Sequence, residues 1–403
     1  MNIEKRSKKL DLFEKCYKDT RAEQAIAQGY YPYFKAIQSG AGSTVMIDGK
    51  KYIMIGSNNY LGLTQDPRII KAATEALETF GSGCTGSRFL NGTLTLHEEL
   101  EEKLADFIHK EAALTFSTGF QTNQGTISSI VGKEDLIFGD RSNHASIVEG
   151  CRLSFGKTYK YKHQDINDLE RLLQTQGNNS GGKLIVSDGV FSMEGDIVKL
   201  PEIAKLAKKY DCRLMIDDAH SCGVLGKHGR GTGEHFDMED DIDLVMGTFS
   251  KSFASLGGFI AGKKKVIEFI KHNARALIFS ASMPPSAVAT VNKALDILKA
   301  EPERIEQLWK NTRKMKKGFD EMGFNTGETK TPIIPIIIGE DMHTFGFWKI
   351  LFQNGIFSNP VVSPAVEPGH ALLRTSYMAT HTDDELDQVL EIFYKLGKEF
   401  GLI

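Results

Sequence analysis

From about residue 112, short apolar runs alternate with amphipathic segments, and this alternation decides what the chain can fold into. Strands are predicted at residues 113–116, 135–138, 159–161, 184–186, 213–216, 244–246, 259–261 and 277–279. Helical patterns lie between many of them, at 121–131, 145–155, 165–174 and 201–210. Runs this short and this apolar are buried on both faces, which means an α/β domain with a mostly parallel central sheet. Such sheets bind ligands beyond the carboxyl ends of their strands. The chemistry is therefore expected just after each strand.

The flanks read differently. A Lys-, Glu- and Ala-rich helix is predicted over 8–28, then a hairpin near 45–55 turned at Asp48 and Gly49, a turn at 56–62 and a helix over 67–80. After 290 the expectation is a smaller α+β domain. Helices at 285–300 and 303–322 lead to a strand at 333–338, placed at a sheet edge by Pro332 and Pro335. A helix near 343–354, a strand at 372–377 and a last helix at 383–399 follow. The expected division is an N-terminal arm and hairpin over 1–55, a large domain over 56–290 and a small one over 291–403.

Bulk properties narrow the function classes. The 403 residues carry a net charge of -3, so no basic footprint points to nucleic acid. The Lys-rich start (Lys5, Arg6, Lys8, Lys9) is interleaved with Glu4, Asp11 and Glu14; it reads as a solvated amphipathic helix, and no apolar signal region follows. No apolar run approaches the roughly 20 residues that span a bilayer, and a cytoplasmic protein is expected. Cys16, Cys84, Cys151, Cys212 and Cys222 are scattered, without a C-x-x-C pair; they read as reduced, buried structural thiols, with no metal site. Two glycine motifs are set aside. The stretch from Gly81 to Gly86 matches G-x-G-x-x-G, but a helix precedes it where a strand should stand. The stretch from Gly177 to Lys183 has Leu184 in place of a magnesium-binding Ser or Thr, and a strand where a helix should follow.

The positions after the strands carry reactive groups. Ser117 to Thr122 opens a helix, whose exposed amides suit a phosphate. His144 stands at another helix start, Asp188 and Ser192 follow the 184–186 run, Asp217 and His220 follow the 213–216 run, and Lys251 follows the 244–246 run. Taken singly these have plain explanations: a surface lysine in a Ser/Gly loop, a capping histidine, structural loop acids. Together they meet the needs of pyridoxal 5′-phosphate (PLP). Lys251, among small residues, is the imine-forming lysine. Asp217 is placed to keep the pyridine nitrogen protonated, His144 to stack on the ring, and His220 and Ser192 to meet the phenolic oxygen. The amides of Gly119 and Phe120, with Thr248 and Ser250, are expected to take the phosphate. Arg374 supplies a bidentate fork for a substrate carboxylate.

The sequence resembles the α-oxoamine synthases, PLP enzymes that condense an amino acid with an acyl-CoA and lose carbon dioxide. The resemblance covers nearly the whole chain, through Ser57-Asn-Asn-Tyr-Leu-Gly-Leu63, residues 82–91, Phe116-Ser-Thr-Gly-Phe120, Ser142-Asn-His144, Asp188-Gly-Val-Phe-Ser-Met-Glu-Gly195, Asp217-Asp-Ala-His220, residues 247–258, Leu373-Arg-Thr375 and Ala379-Thr-His381. It implies fold-type I, the aspartate aminotransferase-like fold, and adds Asn58 as a contact to the substrate carboxylate. Ser250 and residues 359–364 are similar to the branch that joins L-serine to palmitoyl-CoA or another long-chain acyl-CoA. The glycine C-acetyltransferase and 8-amino-7-oxononanoate synthase branches are the alternatives. Phe120 departs from relatives with Tyr there, and Asp218, often Glu elsewhere, is not expected to touch the ring nitrogen. A non-catalytic partner subunit should have lost the lysine, which is present. The resemblance further implies a homodimer with its active sites at the interface, where residues 280–283 reach the partner's phosphate. Peripheral contact with the inner membrane, through apolar residues around Pro364, is left open.

Overall fold

The computed structural model describes residues 11–177 and 181–403. The Lys-rich start, up to residue 10, and the centre of the Gly177–Lys183 motif lie outside the described residues. The hairpin is present as β1 (Thr44–Ile47) and β2 (Lys50–Met54). Its turn residues Asp48 and Gly49 both have positive φ, 48° and 73°, the conformation that a two-residue turn between twisted strands demands.

Seven strands form the central sheet: β3 (Ala112–Phe116), β4 (Leu136–Asp140), β5 (Lys157–Tyr161), β6 (Lys183–Asp188), β7 (Arg213–Asp217), β8 (Leu244–Thr248) and β9 (Gly258–Gly262). Their order is β3-β9-β8-β7-β6-β4-β5. The run from β8 to β5 is parallel; β9 alone is reversed, antiparallel to both β3 and β8. Side chains alternate across the sheet as the pleat requires. Leu184 and Val186 pack on one face with helices Gly119–Ile130, Ala145–Leu153 and Lys264–Asn273. Ile185 faces the other side, against Thr95–Phe107, Ile166–Gln176, Leu200–Lys209 and Pro285–Ala300.

A second core lies in the C-terminal part. There β10 (Ile333–Gly339), β12 (Asn359–Val361) and β13 (Ala371–Ser376) form an antiparallel sheet in the order β10-β13-β12, packed on helices Glu303–Met322, Asp341–Gln353 and Asp383–Glu399. The proline-bearing strand β10 is at the edge, as expected. The short β11 (Ile356–Phe357) leaves this sheet and pairs in parallel with β2, tying the N-terminal hairpin to the C-terminal part.

Three expectations are corrected. Residues 277–279 are no strand: Leu277 lies in a short helix, Arg275–Ile278, and buries itself against the helical face of the sheet. The helix expected over 8–28 is two, Glu14–Lys18 and Arg21–Ala27, parted at Asp19 and Thr20; neither buries a residue, so no packing holds them as one. Of the cysteines, Cys151, Cys212 and Cys222 are buried, but Cys84 is half-buried and Cys16 exposed; all five are free thiols. Helices Thr95–Phe107 and Lys264–Asn273 were not anticipated. Among the described residues no helix is long and apolar enough to cross a membrane, and no cluster of side chains suits a metal ion.

Candidate active site

The carboxyl ends of β3, β6, β7 and β8 converge on a cleft of ≈ 270 Å³. Its walls include Gly119, Phe120, His144, Ser192, Asp217, His220, Thr248, Ser250 and Lys251. Every cofactor-side residue named from the sequence is brought together there. Asn58 and Arg374 border the site: the Arg374 guanidinium donates from Nε to the Ser192 carbonyl at 2.6 Å and from a terminal nitrogen to Asn58 Oδ1 at 2.8 Å.

Lys251 lies in the turn between β8 and β9. The turn is closed by its own backbone: Phe249 N donates to Gly257 O and Ser255 N to Phe249 O, each at 2.9 Å. Phe249 and Phe253 point into the core, which leaves Lys251 half-buried at the cleft. Burial lowers its ammonium to about 8; Asp217 pulls upward and Arg374 further down. An amine in that range is neutral often enough near neutral pH to act as a nucleophile or base.

At one end of the cleft, helix Gly119–Ile130 begins. Its cap Thr118 accepts from Gln121 N through Oγ1 at 3.1 Å, so the first two amides are left for a ligand. The hydroxyls of Thr248 and Ser250 sit 3.1 Å apart beside them. Glycine is required at 119 because a Cβ there would lie 2.6 Å from Thr248 Oγ1 and 2.9 Å from its Cβ.

Asp217 is buried at the end of β7. Oδ1 accepts from Ala219 N at 3.0 Å and Oδ2 from Asn123 Nδ2 at 2.6 Å. Asn123 also donates to Ser146 Oγ at 2.8 Å, and Ser146 Oγ lies 2.8 Å from His144 Nδ1. Since Ser146 N also donates to Nδ1, at 3.2 Å, that nitrogen is the acceptor and the imidazole carries its proton on Nε2. His144 is thus both the cap of helix Ala145–Leu153 and a cleft wall. Burial lowers its pKa, which favours the neutral ring. His220 is buried, with Nδ1 2.8 Å from the Tyr60 hydroxyl; burial, then the nearby Lys251, Arg374 and His144, push it well below the ordinary range. Asp218 turns away from the cleft, as expected, and accepts from Thr232 N at 3.0 Å and from the Thr232 hydroxyl.

Sequence reasoning missed Asn123, Ser146 and Tyr60, and placed Asp188 past its strand without giving it a role. Asn123 had a signal, being a polar residue on the face of its helix that the sheet buries. Asp188 is register partner to Asp217 and accepts from His144 N at 2.7 Å; burial and then Asp217 raise its pKa well above the usual range. The stretch 280–283 is tied to its own chain: Ser280 Oγ accepts from Gln121 Nε2 at 3.0 Å, and Ser282 N donates to Gly86 O at 2.9 Å.

These residues fit PLP. A buried carboxylate held by two donors faces a lowered lysine across a cleft, and free helix-start amides with two hydroxyls lie at one end.

The family model of the class I and II aminotransferases matches residues 50–393. The chain is 54% identical to a serine palmitoyltransferase of Sphingobacterium spiritivorum, over 94% of each sequence. It is 45% identical to an 8-amino-7-oxononanoate synthase of Symbiobacterium thermophilum, over 93% of this chain and 96% of that one. A serine palmitoyltransferase from S. paucimobilis, solved with PLP and myriocin bound, superposes with a TM-score of 0.94 at 36% identity, covering 98% of this chain and all of that one. With a lysine, an aspartate and a helix start placed for PLP at the carboxyl edge of a fold-type I sheet, the chain belongs to the class I and II aminotransferase family and, within it, to the α-oxoamine synthases.

Proposed function

We propose that the protein is a PLP-dependent acyltransferase that condenses L-serine with palmitoyl-CoA or a similar long-chain acyl-CoA, releasing CoA and carbon dioxide and giving 3-ketosphinganine. The observation that carries this is the half-buried Lys251, its ammonium lowered, facing Asp217 in a chain 54% identical to a serine palmitoyltransferase. PLP, when bound, supplies an electron sink for charge that develops at the amino-acid Cα. Lys251 would hold the cofactor through Nζ, and the same amine, once free, would take the amino-acid Cα proton. Asp217, fixed by Asn123 and Ala219, would keep the ring nitrogen protonated. His144 would stack on the ring, and His220 and Ser192 would meet the phenolic oxygen. The amides of Gly119 and Phe120 and the hydroxyls of Thr248 and Ser250 would take the phosphate. Arg374 and Asn58 take the substrate carboxylate and keep it from leaving before the acyl-CoA arrives. Orientation of this kind can contribute roughly 7–11 kcal/mol to lowering a barrier.

The serine branch is supported by position as well as by likeness. Ser250 is at the cleft, and Asn359 of the 359–364 stretch is register partner to Arg374 and donates to Gly56 O at 2.7 Å. A homodimer in the cytoplasm is our assignment for the assembly. It is supported by apolar side chains left exposed at and near the cleft, Phe120 and Leu256 in its wall and Phe89, Leu90 and Phe279 elsewhere. A second reading, 8-amino-7-oxononanoate synthesis, is favoured by the 45% identical relative. The test is a visible-absorption titration of the PLP-loaded protein with L-serine, glycine, L-alanine and L-threonine, followed by product analysis with palmitoyl-CoA. A response at lowest concentration to L-serine supports the proposal; a preference for L-alanine replaces it with the second reading. Lys251→Ala should abolish turnover, and normal turnover in that variant would overturn the assignment.

A further inference from the structure

His163, just beyond β5, plays no part in the chemistry above, yet it joins two elements that do. Its Nδ1 lies 3.0 Å from Asp140 Oδ1, at the end of β4, and its Nε2 lies 3.1 Å from Asp196 Oδ2. Phe191 meets the imidazole edge-on, with centroids 4.5 Å apart. Asp140 accepts further bonds from Ser142 N at 2.8 Å and Gln164 N at 2.9 Å, and Asp196 accepts one from Gln164 Nε2 at 2.8 Å. Both carboxylates are therefore acceptors, and an imidazole facing a carboxylate oxygen with each nitrogen must donate from both: it is an imidazolium. Burial opposes that charge, and the hydrogen bonds that the ring donates to Asp140 and Asp196 outweigh it, holding the ring up to about 10.

Asp196 belongs to a small hairpin, residues 189–198. Val198 N donates to Gly189 O at 2.9 Å, Phe191 N to Asp196 O and Gly195 N to Phe191 O at 3.0 Å, and Val190 and Ile197 are bridged. Ser192 is near its tip, and the Ser192 carbonyl holds Arg374 Nε. On the opposite side the Gly195 carbonyl accepts from the Thr329 and Thr331 hydroxyls at 3.0 and 2.9 Å. The hairpin thus spans from the central sheet to the C-terminal part, and the aim of Arg374 depends on where it stands.

We propose that His163 is a positioning residue for the amino-acid substrate: the Asp140–His163–Asp196 bridge fixes the hairpin whose Ser192 carbonyl aims Arg374 at the substrate carboxylate. This rests on the assignment of Arg374 as the carboxylate anchor. The hairpin meets the cofactor side only at its base, where Gly189 N donates to Asp217 O at 2.8 Å, and at Ser192; the bridge acts first on Arg374, through the Ser192 carbonyl.

The test uses the PLP-loaded protein with His163→Gln, His163→Ala and Asp196→Asn, titrated with L-serine and with L-serine methyl ester, which lacks the carboxylate. The Kd and KM for L-serine should rise about tenfold, the scale of one lost charge-assisted bond, with kcat within about twofold. The binding of the methyl ester and the affinity for PLP, held mainly at the helix start and the Thr248 and Ser250 hydroxyls, should change by no more than about twofold. A merely structural role would weaken ester, serine and PLP together. That outcome, or serine binding within about twofold of the parent in Asp196→Asn, would overturn the inference; Asp196→Asn decides the matter if the His163 variants do not fold. Arg374→Lys separates the two levels. If it leaves L-serine binding intact, the anchor assignment fails; if it weakens binding while the His163 and Asp196 variants do not, only the bridge fails.

Discussion

Lys251 and Asp217 define the site at the scale of single residues, and their coupling has a sign that can be checked. Burial lowers the Lys251 ammonium to about 8, and Asp217 pulls it upward. In the apoprotein, the rate of PLP capture should rise with pH and level off above about 8. Asp217→Asn removes the upward pull, so the midpoint of that profile should move down. A midpoint that is unchanged or higher would mean that Asp217 does not act on the amine. The same lowering makes the apoprotein more stable as pH rises from about 8 to the unfolded lysine value of 10.5, because over that interval the unfolded chain binds the extra proton. Gly119→Ala is the second residue-scale prediction. The added Cβ collides with Thr248, and relieving that clash costs about 1–3 kcal/mol. PLP affinity should fall tenfold or more while the circular dichroism spectrum stays that of the parent. At this scale the sequence named groups that line the cleft, since each sits at or just past a strand end. Their supports were less legible. Asn123 lies about one helical turn beyond the motif that ends at Phe120, Ser146 lies just past His144 without a motif of its own, and only the packing of helix Gly119–Ile130 on the sheet joins Asn123 to Asp217.

At the scale of elements, the best-read helices were those with strong end signals. Pro67–Phe80 has Asp66 as cap, accepting from Arg68 N, a proline in its first turn and Gly81 at φ 80° beyond its end. Glu303–Met322 stops at Gly323 in the left-handed region, φ 93°. Residues 277–279 failed because so short an apolar run fits a buried helical turn as well as a strand. Helix Thr95–Phe107 starts at Leu94, whose amide donates to His97 Nδ1 at 3.1 Å; a histidine in that capping role is not a sequence signal. The last helix, Asp383–Glu399, carries a capping box in which Glu385 N donates to Thr382 Oγ1 at 3.2 Å and Thr382 N to Glu385 Oε2 at 3.0 Å. Thr382→Ala should cost about 1 kcal/mol in a denaturant titration and leave kcat unchanged, because neither Thr382 nor Glu385 lines the cleft.

For the whole molecule, the telling contact is β11 on β2. The N-terminal hairpin completes a sheet with a strand some 300 residues later, with Ile53 opposite Ile356. Removing residues 1–55 should therefore expose the β11 edge and the apolar patch of Phe352 and Phe357 that packs on Tyr52 and Met54. We expect the truncated chain to aggregate, as read by light scattering. The proposed dimer is testable at the same scale: Leu90→Glu and Phe279→Glu, at residues 77% and 78% exposed in the single chain, should yield monomers in sedimentation and lose activity with the assembly.

The reversed strand β9 has a consequence in time. It lies between β3 and β8, so Phe116 cannot find its neighbour Gly258 until some 140 further residues have left the ribosome. Until then the cleft, with Gly119 on one wall and Thr248 and Lys251 on another, has only half its parts. A nascent chain that stops short of Gly258 has no place to capture PLP. Products stalled before that point should stay colourless.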